Sequence, residues 1–149
     1  MNDRVVEERR GDLILSTDRA RLDLDGVLAM LHDSHWGSEV TRPVLERAAA
    51  NSVCVGVYRG DVQLAFARAV TDLATYAYLT DVIVAAQARG SGLGSWMVET
   101  LLAHPDLQGL RRIALLTRDA QRLYEKFGFS TKMPASTYME IRPGPNRQP

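Results

Sequence analysis

The 149-residue sequence has a single cysteine, Cys54, so it can form no internal disulfide. Its 18 Lys and Arg residues balance its 18 Asp and Glu residues, and this balance gives no support for a nucleic-acid partner. No apolar run is long enough to cross a bilayer. Residues 1–10 are charged where a signal peptide would be apolar. These absences predict a cytoplasmic protein with neither nucleic acid nor a membrane as a partner.

Apolar residues make up 46% of the chain, which is enough to fill the core of one domain. We expect a single domain over residues 1–149, with residues 1–10 as a loose arm and the Pro-rich residues 143–149 as a flexible tail. Cys54 lies in a β-rich apolar run, which favours a buried structural thiol over a reactive one.

The spacing of apolar residues alternates between helical and extended patterns along the chain. Helices are predicted over about 19–32, after Thr41, over 95–104 and just before Gly128. Strands are predicted over 12–16, 53–58, 62–70, 75–84, 113–116 and 137–141. Strands that outnumber the helices between them predict the α+β class, with a mixed sheet and helices on both faces.

Three alternate glycines, Gly90, Gly92 and Gly94, lie between an apolar β-rich segment and a helical one. Glycine lets a ligand approach the backbone closely, and a helix N-terminus offers unpaired N–H groups and a partial positive charge. This arrangement predicts a site for a pyrophosphate group. It is not a Walker A loop, because no lysine follows, and Ser95 breaks the Gly-x-Gly-x-x-Gly dinucleotide pattern. A plain tight turn is the alternative.

The run Arg89-x-x-Gly92-x-Gly94 resembles the Arg/Gln-x-x-Gly-x-Gly/Ala motif with which GNAT acetyltransferases hold acetyl-coenzyme A. Residues 117–129 resemble a second signature of that family, a short helix that carries Ala, then Leu-Tyr, and ends in Gly-Phe. The matching positions are Ala120, Leu123, Tyr124, Phe127, Gly128 and Phe129. Thr117 departs from the signature, because the family often has Asn there. The two motifs in this order identify the chain as a member of the GNAT family.

The resemblance implies the GNAT fold, a central and mostly antiparallel sheet of about six to seven strands with helices on both faces. Two central strands, here those ending near Val84 and Leu116, would part to admit the pantetheine arm of acetyl-coenzyme A, and no metal is required. The expected cofactor-binding residues are Ile83, Val84, Arg89, Gly90, Ser91, Gly92, Leu93, Gly94, Ser95 and Thr117.

The resemblance also implies a catalytic role for Tyr124, as the acid that protonates the departing thiolate. The alternative is a half-buried aromatic residue that packs with Leu123 and Phe127.

The implied acceptor is the primary amine of a small molecule or a peptide. Asp81 and Trp36 are candidate substrate contacts. Asp81 has the alternative of a hydrogen-bonded residue on a strand face, and Trp36 that of a core anchor for its loop. His32, His35 and Glu39 make no convincing metal set, because no cysteine or further histidine joins them.

Three functions remain open from the sequence. The first is an acetyl-coenzyme A dependent N-acetyltransferase, the second a non-catalytic coenzyme A sensor, and the third an interaction domain on the same scaffold. A homodimer is a further expectation, because dimers are common in the family.

Overall fold

The computed structural model describes residues 4–34, 39–132 and 138–143. The chain forms two compact units, one up to residue 117 and the other from residue 118 onward.

The first unit contains a six-stranded sheet, in which the strands lie side by side in the order in which they occur along the chain. The strands are β1 (Glu7–Arg10), β2 (Leu13–Ser16), β3 (Ser52–Arg59), β4 (Val62–Thr71), β5 (Tyr76–Val84) and β6 (Arg112–Leu115). Neighbouring strands are antiparallel except for β5 and β6, which are parallel. The mostly antiparallel α+β sheet predicted from the sequence is confirmed.

The first strand corrects the expectation of a loose arm, which is wrong for residues 7–10. β1 pairs with β2 from Glu7 opposite Ser16 to Arg10 opposite Leu13. All four of its residues are charged and exposed, so it lacks the apolar alternation that marks a strand in a sequence. Two side chains of β1 also contact Trp96. Trp96 Nε1 donates a hydrogen bond to Glu8 at 2.8 Å, and the Arg10 guanidinium lies 4.4 Å from the centre of the Trp96 ring.

The helices found in the described residues correspond to the predicted ones but differ in their bounds. They are α1 (Leu24–His32), α2 (Arg42–Ala50), α3 (Leu93–Ala103) and α4 (Gln121–Glu125), with 3-10 turns at Arg19–Arg21, Ala86–Ala88 and Pro105–Leu107. The helix predicted from residue 19 is interrupted, because Asp23 accepts a hydrogen bond from Gly26 N and caps a new helix there. Thr41 does occupy the N-cap of α2, although its side chain makes no capping bond.

The strand predicted over 137–141 is absent from the part of this segment that the structure describes, residues 138–141. There Tyr138 Oη donates to Glu140, and Arg142 Nε donates to the same carboxylate, each at 2.8 Å. These bonds are local. Apolar alternation alone does not supply the neighbouring strand that a ladder needs.

Helices cover both faces of the sheet, as predicted. On one face, α1 and α2 pack in a core formed by Val27, Leu31, Leu45, Ala49, Cys54, Phe66 and Ile83. The helix α3 lies on the opposite face. Its Trp96 bonds to Glu8, which lies beside Leu15 and Val57 on the neighbouring strands. Val57 and the core residue Cys54 are an odd number of residues apart on β3, so their side chains lie on opposite faces of the sheet. Cys54 is 1% exposed, so the prediction of a buried thiol is confirmed.

Tyr58 carries a polar group that the fold does not satisfy. Its side chain is buried on β3, and its hydroxyl has no hydrogen-bond partner among the described residues. Burial raises the pKa of Tyr58 above its ordinary value, so the hydroxyl stays neutral. A buried hydroxyl without a partner costs free energy.

We expect Tyr58→Phe to raise the free energy of unfolding by about 1 kcal/mol, because it removes that unpaired group. Chemical denaturation of the two proteins measures the difference. Tyr76→Phe is the matched control and should change little, since Tyr76 is 39% exposed. A loss of stability in Tyr58→Phe would instead show that the hydroxyl bonds a buried water in solution.

Candidate functional site

The strands β5 and β6 part midway along the sheet. Their parallel ladder runs from Tyr76 opposite Arg112 to Leu79 opposite Leu115 and ends there, while β5 continues to Val84. Within the described residues, this edge of β5 beyond Leu79 has no strand partner. An end of the ladder at this point is what the expected opening between the two strands requires.

The alternation of hydrogen bonds along β5 decides which backbone groups face the opening. Ala85 N donates to Leu64 O at 2.8 Å, and bonds between antiparallel strands join every second pair of residues. Ile83, opposite Phe66, shares that phase and directs its N–H and C=O toward β4. Val84 falls between the bonded pairs and directs its groups toward the opening. Of the two residues predicted to bond the cofactor through the backbone, Ile83 and Val84, only Val84 directs its N–H and C=O toward the opening.

A β-bulge lies just before this edge. The register shifts between Phe66 and Arg68, so that Asp81 and Val82 on β5 both lie opposite Ala67 on β4. Asp81 adopts φ +55°, a left-handed conformation within a strand. Its carboxylate accepts a hydrogen bond from Arg68 Nε at 2.6 Å, with the two side chains 13% and 17% exposed. This placement agrees with the hydrogen-bonded alternative for Asp81.

A glycine loop, residues 89–92, connects a 3-10 turn to α3. Gly90 and Gly92 have φ of +81° and +82°, which a glycine adopts without strain. The helix begins at Leu93, two residues earlier than predicted, and its first bond runs from Trp96 N to Gly92 O at 3.1 Å. The N–H groups of the first turn, residues 93–95, therefore have no partner within the helix.

Gly94 separates the two interpretations of the glycine run. It lies inside α3, outside the left-handed region of φ, where glycine costs about 1 kcal/mol relative to alanine. Apart from its chain neighbours and the backbone of α3, no atom of the described residues lies within 4 Å of a Cβ built on Gly94. Neither a turn nor packing requires glycine there. The open space outside the backbone fits a bulky group that approaches the first helical N–H groups.

The other predicted contacts of the loop differ in exposure. Arg89 is exposed, and its Nε donates to Val84 O at 3.2 Å, so it connects the glycine loop to the open edge of β5. Ser91 is exposed and its hydroxyl donates to Ala88 O at 2.5 Å. Leu93 is buried, so only its backbone is available to a ligand.

Thr117 and Trp36 are the two remaining predicted contacts. Thr117 is half-buried two residues beyond β6. Trp36 and its neighbour His35 lie outside the described residues.

Tyr124 belongs to the second unit, on α4. Gly128 ends the helix with φ +95°, and the bonds Gly128 N to Glu125 O and Phe129 N to Tyr124 O form a Schellman motif. The rings of Tyr124 and Phe129 meet edge to face, with centroids 5.9 Å apart.

The phenol of Tyr124 remains a proton donor over a wide pH range. The residue is 8% exposed, and burial raises the pKa of Tyr124 above its ordinary value. Its hydroxyl makes no hydrogen bond to the described residues. This environment fits both the proton-donor role and the packing alternative.

The residues that the structure describes contain no group of three or more His, Cys, Asp or Glu side chains arranged to hold a metal ion. None of the described helices combines the length and the apolar character needed to traverse a membrane.

Sequence reasoning missed Arg68, although a signal was present. An arginine in the buried run Phe66-Ala67-Arg68-Ala69 requires an acidic or polar partner nearby. The partner, Asp81, lies on the neighbouring strand and is identified by the register of the sheet.

Known proteins resemble this chain in sequence and in fold. The model of the acetyltransferase (GNAT) family matches residues 24–129. A predicted acetyltransferase of Gibberella zeae is 34% identical over 140 residues, with 78% of each chain covered. The crystal structure of a predicted GNAT-family acetyltransferase from Xanthomonas campestris pv. campestris has a TM-score of 0.83 at 38% identity, covering 87% of this chain and 92% of that one. Glucosamine-6-phosphate N-acetyltransferase of Arabidopsis thaliana shares the fold, with a TM-score of 0.64 at 18% identity, covering 89% of this chain and 99% of that one.

Proposed function

Because the chain belongs to the GNAT acetyltransferase family, we propose that it transfers the acetyl group of acetyl-coenzyme A to a primary amine of a small molecule or peptide. The observation that carries the proposal is Gly94, whose missing side chain leaves open space beside the first turn of α3.

The glycine loop and the start of α3 would hold the pyrophosphate. The N–H groups of residues 93–95 have no partner within the helix, and a helix N-terminus adds about 0.3–1 kcal/mol for each negative charge. Arg89 would add charge-assisted hydrogen bonds from the part of its guanidinium that does not bond Val84 O. The pantetheine arm, which carries peptide-like amides, would lie along the open edge of β5 and bond the N–H of Val84.

The reaction exchanges a C–S bond for a C–N bond. The amine nitrogen would attack the thioester carbonyl, and Tyr124 would give its proton to the departing sulfur. The proton that the nitrogen loses as the amide forms would pass through solvent and restore the phenol. An ordinary thiol has a pKa of about 8.5, lower than that of tyrosine, so this transfer is uphill in water. Burial raises the pKa of Tyr124 further, but a thiolate leaving in a desolvated site becomes more basic for the same reason.

The acceptor must arrive without its proton. An α-amine with a pKa near 8 is about one-tenth neutral at pH 7, whereas a lysine amine is neutral in fewer than about one molecule in a thousand. The sequence predicted that the Asp81 carboxylate contacts the acceptor, but in the structure this carboxylate is paired with Arg68. We therefore propose acceptors whose amine pKa is near 8 over lysine side chains.

A thiol-release assay with acetyl-coenzyme A tests the proposal over a panel of amines that differ in pKa, together with calorimetry of coenzyme A binding. We expect binding, and thiol release that depends on the amine and is fastest for those of low pKa. Release only with lysine-type amines would contradict the proposed acceptor class. The absence of coenzyme A binding would contradict the function itself.

A non-catalytic coenzyme A sensor is the second candidate. The observation that favours it is the engagement of Asp81 by Arg68, which withdraws that carboxylate from proton transfer. A sensor would bind coenzyme A in calorimetry but release no thiol with any amine of the panel.

A further inference from the structure

Asp81 is one of two non-glycine residues with positive φ among those that the structure describes. The other, Leu73 with φ +64°, lies in a tight turn where Thr71 Oγ1 accepts a hydrogen bond from Leu73 N at 2.9 Å. Asp81 lies within β5, with no turn to account for its conformation. A non-glycine residue in the left-handed region costs about 1–3 kcal/mol and persists where its surroundings enforce it.

Arg68 holds the side chain of Asp81 in this conformation. Its Nε bonds Asp81 at 2.6 Å, and its Nη1 donates to Ser52 Oγ at 3.2 Å. The Ser52 hydroxyl in turn donates to Ala48 O at 2.8 Å, near the C-terminus of α2. A helix C-terminus carries partial negative charge and favours a nearby guanidinium. The carboxylate of Asp81 is thus anchored through Arg68 to a different element of the core.

The anchored residue lies where the sheet opens. The ladder with β6 ends at Leu79, the bulge follows at Asp81, and the backbone groups of Val84 then face the opening. A bulge bends its strand and increases the local twist, and so changes the direction of the groups beyond it.

We propose that Arg68 and Asp81 are positioning residues that fix the bulge, and thereby aim the N–H of Val84 at the pantetheine arm of coenzyme A. The inference rests on the proposed function, since it assigns a means of orientation to the same site. Neither side chain touches the cofactor. In this account Asp81 is an architectural residue of the cofactor site and takes no proton from the amine.

Three substitutions of Asp81 separate conformation from charge. Asn tolerates the left-handed region and its amide oxygen can still accept from Arg68, Gly tolerates the region but loses the bond, and Ala loses both. We expect Asp81→Asn to keep its coenzyme A affinity within about threefold of the original, and Asp81→Ala to lose about tenfold, as for one main-chain hydrogen bond. Asp81→Gly should fall between them. Calorimetry without any amine measures all three, and thermal denaturation identifies folded variants.

The outcomes distinguish this proposal from its alternatives. Equal coenzyme A affinity in all folded variants overturns it. Turnover lost alike in all three variants, with affinity unchanged and an altered pH profile, overturns it too and makes Asp81 a base. If Asp81→Ala does not fold, Asp81→Gly compared with Asp81→Asn decides. Failure of the unsubstituted protein to bind coenzyme A contradicts the proposed function, and is recognised before any variant is compared.

Discussion

Replacing Gly94 with valine should weaken coenzyme A binding by about 10- to 100-fold, the loss of one hydrogen bond to a charged group. The branched side chain would fill the space beside the first turn of α3 and hold the pyrophosphate away from the N–H groups of residues 93–95. The fold should be retained, because no described residue outside the helix itself comes within 4 Å of a Cβ at this position, and valine is a better helix former than glycine. Calorimetry measures the affinity, and thermal denaturation measures the stability.

Ala103→Val is the matched control, since it adds a branched side chain at an exposed position at the other end of the same helix. It should leave the affinity unchanged. Gly92 is a less informative choice, because its φ of +82° would strain any side chain and mix a folding defect with a binding defect. Full affinity in a folded Gly94→Val protein would show that the pyrophosphate does not lie at this helix.

Replacing Tyr124 with phenylalanine should lower the turnover number by about 100-fold, a typical contribution of a general acid. The ring contact with Phe129 needs no hydroxyl, so the packing of the second unit should survive. Coenzyme A affinity should change little, because the hydroxyl acts only when the C–S bond breaks. Steady-state thiol release gives the turnover, and calorimetry gives the affinity.

The pH dependence gives an independent test of the same residue. Tyr124 acts in its protonated form and burial raises its pKa above the ordinary value of a tyrosine, so its contribution should persist through neutral pH and be lost only in strongly alkaline solution. Tyr76→Phe, at an exposed tyrosine, should retain full turnover. Full turnover in Tyr124→Phe would assign this tyrosine to packing alone.

Local sequence patterns were sufficient to predict those features that adjacent residues determine. The glycine run, the hairpin strands β3 and β4 and the helix stop at Gly128 were predicted because glycine conformation and apolar spacing are properties of adjacent residues. The start of α3 was placed two residues late, because Leu93 and Gly94 look like loop residues in the sequence although they lie in the first turn.

Features that depend on distant pairing could not be read in the same way. β1 has no apolar residue, and it becomes a strand only because β2 follows it across Gly11. The role of Asp81 needs the register that brings Arg68 beside it from the neighbouring strand. For the same reason residues 138–141 have the alternation of a strand without forming one.

The charged edge strand β1 also affects how copies of the protein meet. The outer strand of a sheet leaves N–H and C=O groups unpaired, and these are a template for strands of other chains. Residues 7–10 place two glutamates and two arginines along that border, all exposed. A strand of another molecule that paired with β1 would have to desolvate these charges. The segment that contacts Trp96 therefore also opposes edge-to-edge aggregation of the protein.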